Sequence, residues 1–138
     1  MRQYLFLATL SFILFFLPSS ILAESFEEFY NSFKLSEEFR IHRTKFPLRM
    51  TIFTGEDEHT KKKVHLVEKA EIVTGRIKIY PNYKFIAELK YVEILEKLNA
   101  KEYELSIGPP SSDVAVSYKF TKLKNLWYLI EYTDYWGV

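Results

Sequence analysis

The sequence predicts an α+β fold in which N-terminal helices pack on a curved antiparallel sheet, a cone-like architecture. Two observations carry this prediction. Early in the chain, aromatic side chains recur at helical spacing from Phe26 to Phe33. At its end, residues 114–136 alternate apolar and polar side chains as the two strands of an antiparallel hairpin do. Helices followed by a run of strands favour α+β over an alternating parallel design.

The first 23 residues have the pattern of a secretory leader. Arg2 precedes an apolar run over 4–17, and a small residue, Ala23, stands where such leaders are cut. The run is shorter than the ~20 residues of a membrane-spanning helix. We therefore predict a signal peptide over 1–23, one α+β domain over 24–138 and a periplasmic or secreted location. We expect no stable membrane span after leader removal; an uncleaved anchor is the open alternative.

Composition excludes several classes of function. The formal net charge of +1 gives no electrostatic footprint for a nucleic-acid partner. The chain has no cysteine, which excludes disulfides, thiolate zinc sites and a cysteine nucleophile. Because no disulfide can stabilise the exported domain, its stability must come from an apolar core, and the 17% aromatic content suits that requirement.

Local patterns place two helices at the start of the domain. Ser25 and Glu28 form a capping box, which predicts the beginning of the first helix. Its aromatic stripe continues to Phe33. Ser36 predicts a second N-cap, followed by a short helix that Pro47 is expected to stop.

Strands are expected to form most of the remaining domain. Alternation predicts them over 48–54, within 64–74, over 76–80 and over 101–107. Residues 85–99 are ambiguous, since they combine good helix formers and a helical apolar stripe with an alternation that also fits a strand. We prefer a helix there. The second hairpin strand carries apolar groups on both faces, which predicts a place inside the sheet.

Three spaced patterns give the chain a resemblance to a known family. They are Phe26-x-x-Phe29-x-x-x-Phe33, Phe39-Arg40-x-x-Arg43-x-x-Phe46-Pro47-Leu48, and Tyr118-x-Phe120 with Trp127-x-Leu129. They resemble small secreted proteins of unknown function from Bacteroidetes, in the nuclear-transport-factor-two-like superfamily. The resemblance implies a cone of curved sheet over helices and an exported location. It implies no activity and no catalytic residues.

Six side chains are candidates for ligand contact: Arg40, Arg43, Tyr128, Tyr132, Tyr135 and Trp136. The two arginines suit a carboxylate ligand at the mouth of a cone, or else an ion pair that braces a helix-to-strand corner. The four aromatic residues have polar tips, as do side chains that line pockets and interfaces; plain core packing is the alternative.

Other chemistry-bearing residues suit ordinary surface roles. Glu38 and His42 are one helical turn apart, as a surface pair would be; an acid/base pair is the alternative. His59 and His65 match no metal motif, so we predict no metal site and no cofactor. The lysines at 61–63 are interpreted as a solvated hairpin tip.

These patterns favour a secreted, non-enzymatic binding module that uses the concave sheet face for a small ligand, a peptide or a protein. One alternative is a periplasmic immunity-type protein that binds a single toxin. Another is an isomerase- or hydrolase-like enzyme, which requires an acid or base inside the cone; Glu131 among tyrosines is the candidate. No phosphate-loop, Gly-x-Ser-x-Gly or His-Glu-x-x-His motif occurs. The oligomeric state, including a homodimer, is left open.

Overall fold

A computed structural model describes residues 22–55, 60–110 and 113–136 of the chain. The leader pattern at 1–21 and His59 lie outside the described residues. The described elements, in chain order, are α1 (Phe26–Leu35), α2 (Glu37–His42), β1 (Thr44–Thr54), β2 (Lys61–Val67), α3 (Lys69–Val73), α4 (Tyr83–Glu88), β3 (Val92–Asn99), β4 (Glu102–Gly108), β5 (Val116–Leu123) and β6 (Leu126–Asp134). None of the described helices has the length and apolar character that crossing a membrane requires.

The strands form one six-stranded sheet in the order β2-β1-β6-β5-β4-β3. Neighbouring strands are antiparallel except β1 and β6, which run parallel. The predicted α+β, cone-like class is confirmed, and β6 lies inside the sheet as its two apolar faces indicate. The parallel pair is a feature that the expected antiparallel sheet did not contain.

The aromatic stripe of α1 packs on the hairpin formed by β5 and β6. Phe29 and Phe33 are fully buried, and the Phe33 ring centroid lies 5.2 Å from that of Phe120. The Phe26 ring meets Trp127 edge-on at 5.0 Å. Each fully buried ring contributes about 1.5–3 kcal/mol through removal of apolar surface from water. The two ends of the domain therefore form one core.

Side-chain caps begin α1 and α2 where the sequence predicts them. The Ser25 hydroxyl accepts the Glu28 backbone N–H at 3.2 Å, and the Glu28 carboxylate accepts the Ser25 N–H at 3.0 Å. The Ser36 hydroxyl accepts the Phe39 N–H at 3.1 Å. These hydrogen bonds satisfy donors that the first helical turn leaves free.

The predicted stop of α2 at Pro47 is wrong. The helix ends at His42, and Pro47 lies inside β1. The chain leaves the helix at Arg43, whose carbonyl oxygen accepts the Leu129 N–H of β6 at 2.7 Å. Sheet pairing therefore ends the helix before the proline is reached.

The preferred helix over 85–99 is also wrong. The segment divides into α4, a turn with Lys90 at φ 55°, and strand β3. The helix propensity of residues 92–98 favours a helix. They instead pair with β4 over nearly their whole length. Backbone pairing with a neighbouring strand overrides local helix propensity here.

Residues 76–80 do not form the predicted strand. They bend between α3 and α4, and Ile79 is nevertheless buried. The Tyr118 hydroxyl donates a hydrogen bond to the Ile79 carbonyl oxygen. That carbonyl group is therefore satisfied by a side chain rather than by a strand partner. The strand expected within 64–74 is β2, which ends at Val67.

A register shift in β6 turns its last residues over. Phe120 pairs with Leu129, but Lys119 pairs with Glu131, which leaves Ile130 as an extra residue. A bulge of this kind reverses the side-chain alternation. Strict alternation would put Tyr132 and Leu129 on opposite faces of the sheet. With the extra residue, Tyr132 lies on the same face as Leu129 and is buried.

Candidate functional site

An apolar pocket of about 260 Å³ opens at one end of the sheet, on its helix-covered face. Strands β4, β5 and β6 form one wall, and the chain from 78 to 91 forms the other. The lining residues are Lys78, Ile79, Tyr80, Pro81, Asn82, Phe85, Ile86, Tyr91, Ile107, Ala115, Val116, Tyr118, Tyr132 and Trp136.

Two buried tyrosines form the floor of the pocket. Tyr118 and Tyr132 have ring centroids 5.2 Å apart and are 2% and 8% exposed. Burial raises the pKa of Tyr118 well above its usual value. Burial, and then the nearby negative charge of Asp134, raises the pKa of Tyr132 as well. Both hydroxyl groups are consequently neutral at physiological pH and add polarity without charge.

Three aromatic rings form the rim. Tyr91 contacts Trp136 edge-on at a centroid distance of 6.4 Å, and Phe85 at 6.5 Å. Phe85 and Trp136 remain 51% and 46% exposed. The Asp134 carboxylate accepts the Trp136 backbone N–H at 2.9 Å, which fixes the chain where the ring leaves the sheet. Exposed rings around an apolar cavity are typical of a ligand site.

The pocket provides shape and apolar contact rather than acid–base chemistry. Among its described lining residues there is no Asp, Glu or His, and Lys78 is the charged one. Glu131, the candidate acid of the enzyme alternative, pairs in register with Arg49 and Lys119 instead. No cluster of three His, Asp or Glu residues within the described ranges could hold a metal ion.

The pocket includes two of the six predicted contact residues, Tyr132 and Trp136. Tyr135 lies outside it and stacks on Phe53 with centroids 5.5 Å apart. Tyr128 also lies outside, with the Lys45 ammonium 4.3 Å from its ring centroid. Strict alternation of β6 predicts Tyr128 and Tyr132 on one face, and the bulge at Ile130 puts them on different faces.

Both predicted arginines are occupied by contacts within the fold. Arg40 donates to the carbonyl oxygens of Phe33 and Lys34 at the end of α1, at 2.8 and 3.2 Å. Arg43 binds both carboxylate oxygens of Glu24, at 2.7 and 3.1 Å. Arg43 therefore makes the ion pair of the bracing alternative. Arg40 makes backbone hydrogen bonds instead, and its buried Nε has no hydrogen-bond partner among the described residues.

The surface candidates lie apart from this pocket, but Glu38 and His42 line a second, more open depression of about 410 Å³ with Ser36, Phe39 and Arg43. His42 and Glu38 are 3.9 Å apart and largely exposed, and His65 lies 3.8 Å from Glu71. The lysines at 61–63 belong to β2 and are exposed, beside a loop whose residues 56–59 are not described.

Sequence reasoning missed most of the pocket. The sequence predicts a helix for Phe85 and Tyr91 and a strand for Tyr118, and neither pattern indicates a pocket. The Pro81-Asn82 turn, flanked by aromatic residues on both sides, is the signal that could have placed a pocket wall there.

A curved sheet packed over helices, with a pocket at its open end, defines the cystatin-like or NTF2-like class. Solved structures of this class are similar to the chain. A cystatin-like protein from Bacteroides caccae shares 20% identity over 83% of this chain and 77% of its own, with a TM-score of 0.56. A protein from Bacteroides uniformis shares 18% over 81% and 77%, with a TM-score of 0.57. An NTF2-like protein from Bacteroides fragilis shares 17% over 80% of this chain and 46% of its own, with a TM-score of 0.55.

A protein-family model also matches residues 24–138, all of the chain after the predicted leader. The chain therefore belongs to the family that this model describes. Its fold is that of the cystatin-like and NTF2-like Bacteroides proteins, and the resemblance to such proteins of Bacteroidetes is confirmed. No curated protein sequence matches it significantly. At these identities the solved structures establish the fold alone.

Proposed function

We propose that the protein is an exported binding module whose pocket holds a small, mainly apolar ring compound. One observation carries the proposal: a neutral tyrosine floor lies beneath a rim of exposed aromatic rings. The leader pattern over 1–23 supports a periplasmic or secreted location. Amino-terminal sequencing of protein recovered outside the cytoplasm tests that location, with Glu24 as the expected first residue.

The size and polarity of the pocket restrict the ligand. Its volume lies just below the ~300–1,000 Å³ of pockets for drug-sized molecules. Aromatic walls favour stacked or edge-on contact with a second ring. A hydroxyl or carbonyl group on the ligand would hydrogen-bond to the Tyr132 hydroxyl, whereas a carboxylate would be desolvated beside the buried Asp134.

Tryptophan fluorescence gives a direct test of the pocket. The chain has two tryptophans, of which Trp136 lies on the rim and Trp127 is buried in the core. We expect neutral monocyclic aromatic compounds to shift the emission of Trp136 and to raise the Tm, because they bind the folded state alone. Benzoate-like anions and aliphatic amines of equal size should bind more weakly.

Paired variants identify where these probes bind. Trp136→Ala should abolish most of the Tm increase, whereas Tyr135→Ala, its exposed neighbour outside the pocket, should leave it in place. Phe85→Ala and Leu89→Ala form a second pair, both exposed and one helical turn apart, but with only Phe85 on the rim. The proposal fails if no neutral ring compound binds, or if both members of each pair behave alike.

A further inference from the structure

The outer edge of β3 is an exposed strand edge that no described segment covers. Every residue of β3 is exposed, and its aliphatic side chains Val92, Ile94, Leu95 and Leu98 are 40–58% exposed. Within residues 22–55, 60–110 and 113–136, no segment pairs with that edge. Such an edge is a ready template for another strand, and proteins usually protect it with charge, proline or a cover.

The opposite edge of the sheet shows that protection. Strand β2 begins with three consecutive exposed lysines, Lys61, Lys62 and Lys63. Lysines at an edge disfavour pairing with a second copy because like charges would be brought together. The two edges therefore differ: β2 repels a second copy and β3 does not.

We propose that two copies of this chain pair through β3, antiparallel, so that one sheet continues across a two-fold axis. An antiparallel pair around such an axis, with side chains kept on their own faces, must be centred on a residue. The candidate centres in the middle of β3 are Ile94, Leu95 and Glu96.

Charge selects Leu95 as the centre. In that register Leu95 lies opposite itself, Glu93 opposite Lys97 of the second copy, and Val92 opposite Leu98. Two opposite-charge pairs and three apolar pairs result, and such pairs stabilise a sheet. Centring on Glu96 would place two carboxylates face to face, and centring on Ile94 would place Glu93 opposite Leu95.

The fold already holds Glu93 in position for this contact. The carboxylate accepts the Tyr30 hydroxyl at 2.8 Å, and Lys34 lies 3.9 Å away. Glu93 therefore lies on the helix-covered face, as do Leu95 and Lys97, which follow at strand spacing. The β3–β4 register shifts after Lys97, so the proposed pairing covers residues 92–98. Ile94 opposite Glu96 is the mismatched combination, and it occurs twice, on the other face.

Sedimentation of the purified segment 24–138, which contains every described element, tests the proposal. We expect a reversible dimer. Lys97→Glu should raise its dissociation constant about tenfold or more, since both attractive pairs become repulsive. Glu93→Lys should weaken self-association likewise. A mixture of these two variants should form a heterodimer as tight as the wild-type dimer, because opposite charges again meet at both pairs.

Lys62→Glu, on the opposite edge, is the matched control and should leave the dimer unchanged. If Glu93→Lys perturbs folding, amide hydrogen exchange of wild type and Lys97→Glu tests the same proposal. As protein concentration rises, the β3 amides should become more protected from exchange in wild type but not in Lys97→Glu. A monomer at every concentration up to about 1 mM overturns the proposal. So does a dimer that Lys62→Glu weakens and Lys97→Glu does not.

Discussion

At the scale of single residues, Glu24 and Arg43 join three parts of the fold. Besides the two-pronged ion pair, the Glu24 carboxylate accepts the Trp127 backbone N–H at 3.1 Å, and its carbonyl oxygen accepts the Trp127 indole N–H at 3.2 Å. The paired side chains are only 16% and 18% exposed. The pair therefore fixes the start of α1 and the α2–β1 corner against β6.

Glu24→Gln should destabilise the protein by about 1–3 kcal/mol, because the Arg43 charge would be left largely buried without a counter-ion. Urea unfolding measures this loss. Glu27→Gln, in the exposed first turn of α1, is the matched control and should change stability by about 0.5 kcal/mol or less. Equal losses in the two variants would show that the ion pair adds nothing beyond surface charge.

The sequence separation of two contacting residues decides whether their contact could be predicted from the sequence. The Ser25–Glu28 capping box was readable because its partners are three residues apart and the pattern is specific. Arg43 was recognised as either a ligand residue or a brace. Its partner Glu24 lies 19 residues away, and no local pattern connects them. Only the folded structure, which brings Glu24 to Arg43, distinguishes between the two roles.

At the scale of elements, the break between α4 and β3 depends on one backbone conformation. The Tyr91 N–H bonds the Ile86 carbonyl oxygen at 3.0 Å, and the Lys90 N–H bonds that of Ala87 at 3.2 Å. These are the two hydrogen bonds of a Schellman cap, with Lys90 in the left-handed region usually taken by glycine. No glycine marks this turn, so no local pattern indicates that the helix ends there.

Lys90→Gly should therefore stabilise the protein by about 0.5–1 kcal/mol, because relief of the left-handed strain (roughly 1–2 kcal/mol) outweighs the backbone entropy that glycine loses on folding (roughly 0.5–1 kcal/mol). Lys84→Gly tests the same replacement inside α4, where glycine should cost about 1 kcal/mol. Thermal unfolding of the two variants measures both effects. If Lys90→Gly also lowers the Tm, the left-handed turn is not what separates the helix from the strand.

At the scale of the whole molecule, the sequence predicted the fold because its strongest patterns lie at the two ends of the domain. The α1 stripe and the β5–β6 hairpin had to bury each other, and that contact defines the helix-over-sheet class. The parallel β1–β6 pair and the pocket followed from no local pattern. They depend on how β1 crosses to the middle of the sheet and on where residues 76–91 bend.

Five tyrosines connect the stability of the whole fold to alkaline pH. Burial is the first cause that raises the pKa of each: Tyr30, Tyr80, Tyr83 (to about 12), Tyr118 and Tyr132. A pKa raised in the folded state means that the unfolded chain loses its protons first. The stability contribution is then complete below about pH 10 and declines as pH rises toward the folded-state values.

Alkaline titration should consequently unfold the protein cooperatively. Counting only Tyr118 and Tyr132, the two of these rings that are buried, stability should fall by ~3 kcal/mol per pH unit above pH ~10. A domain of ordinary stability, ~5–15 kcal/mol, would then lose its fold within a few pH units.

We expect the phenolate absorbance of these residues to rise together with the loss of circular dichroism. Tyr132→Phe should make that decline shallower, because one fewer proton is released, whereas Tyr135→Phe, an exposed ring, should not. Gradual ionisation of all the tyrosines before any unfolding would contradict this prediction, because it would mean that water reaches the pocket floor in the folded state.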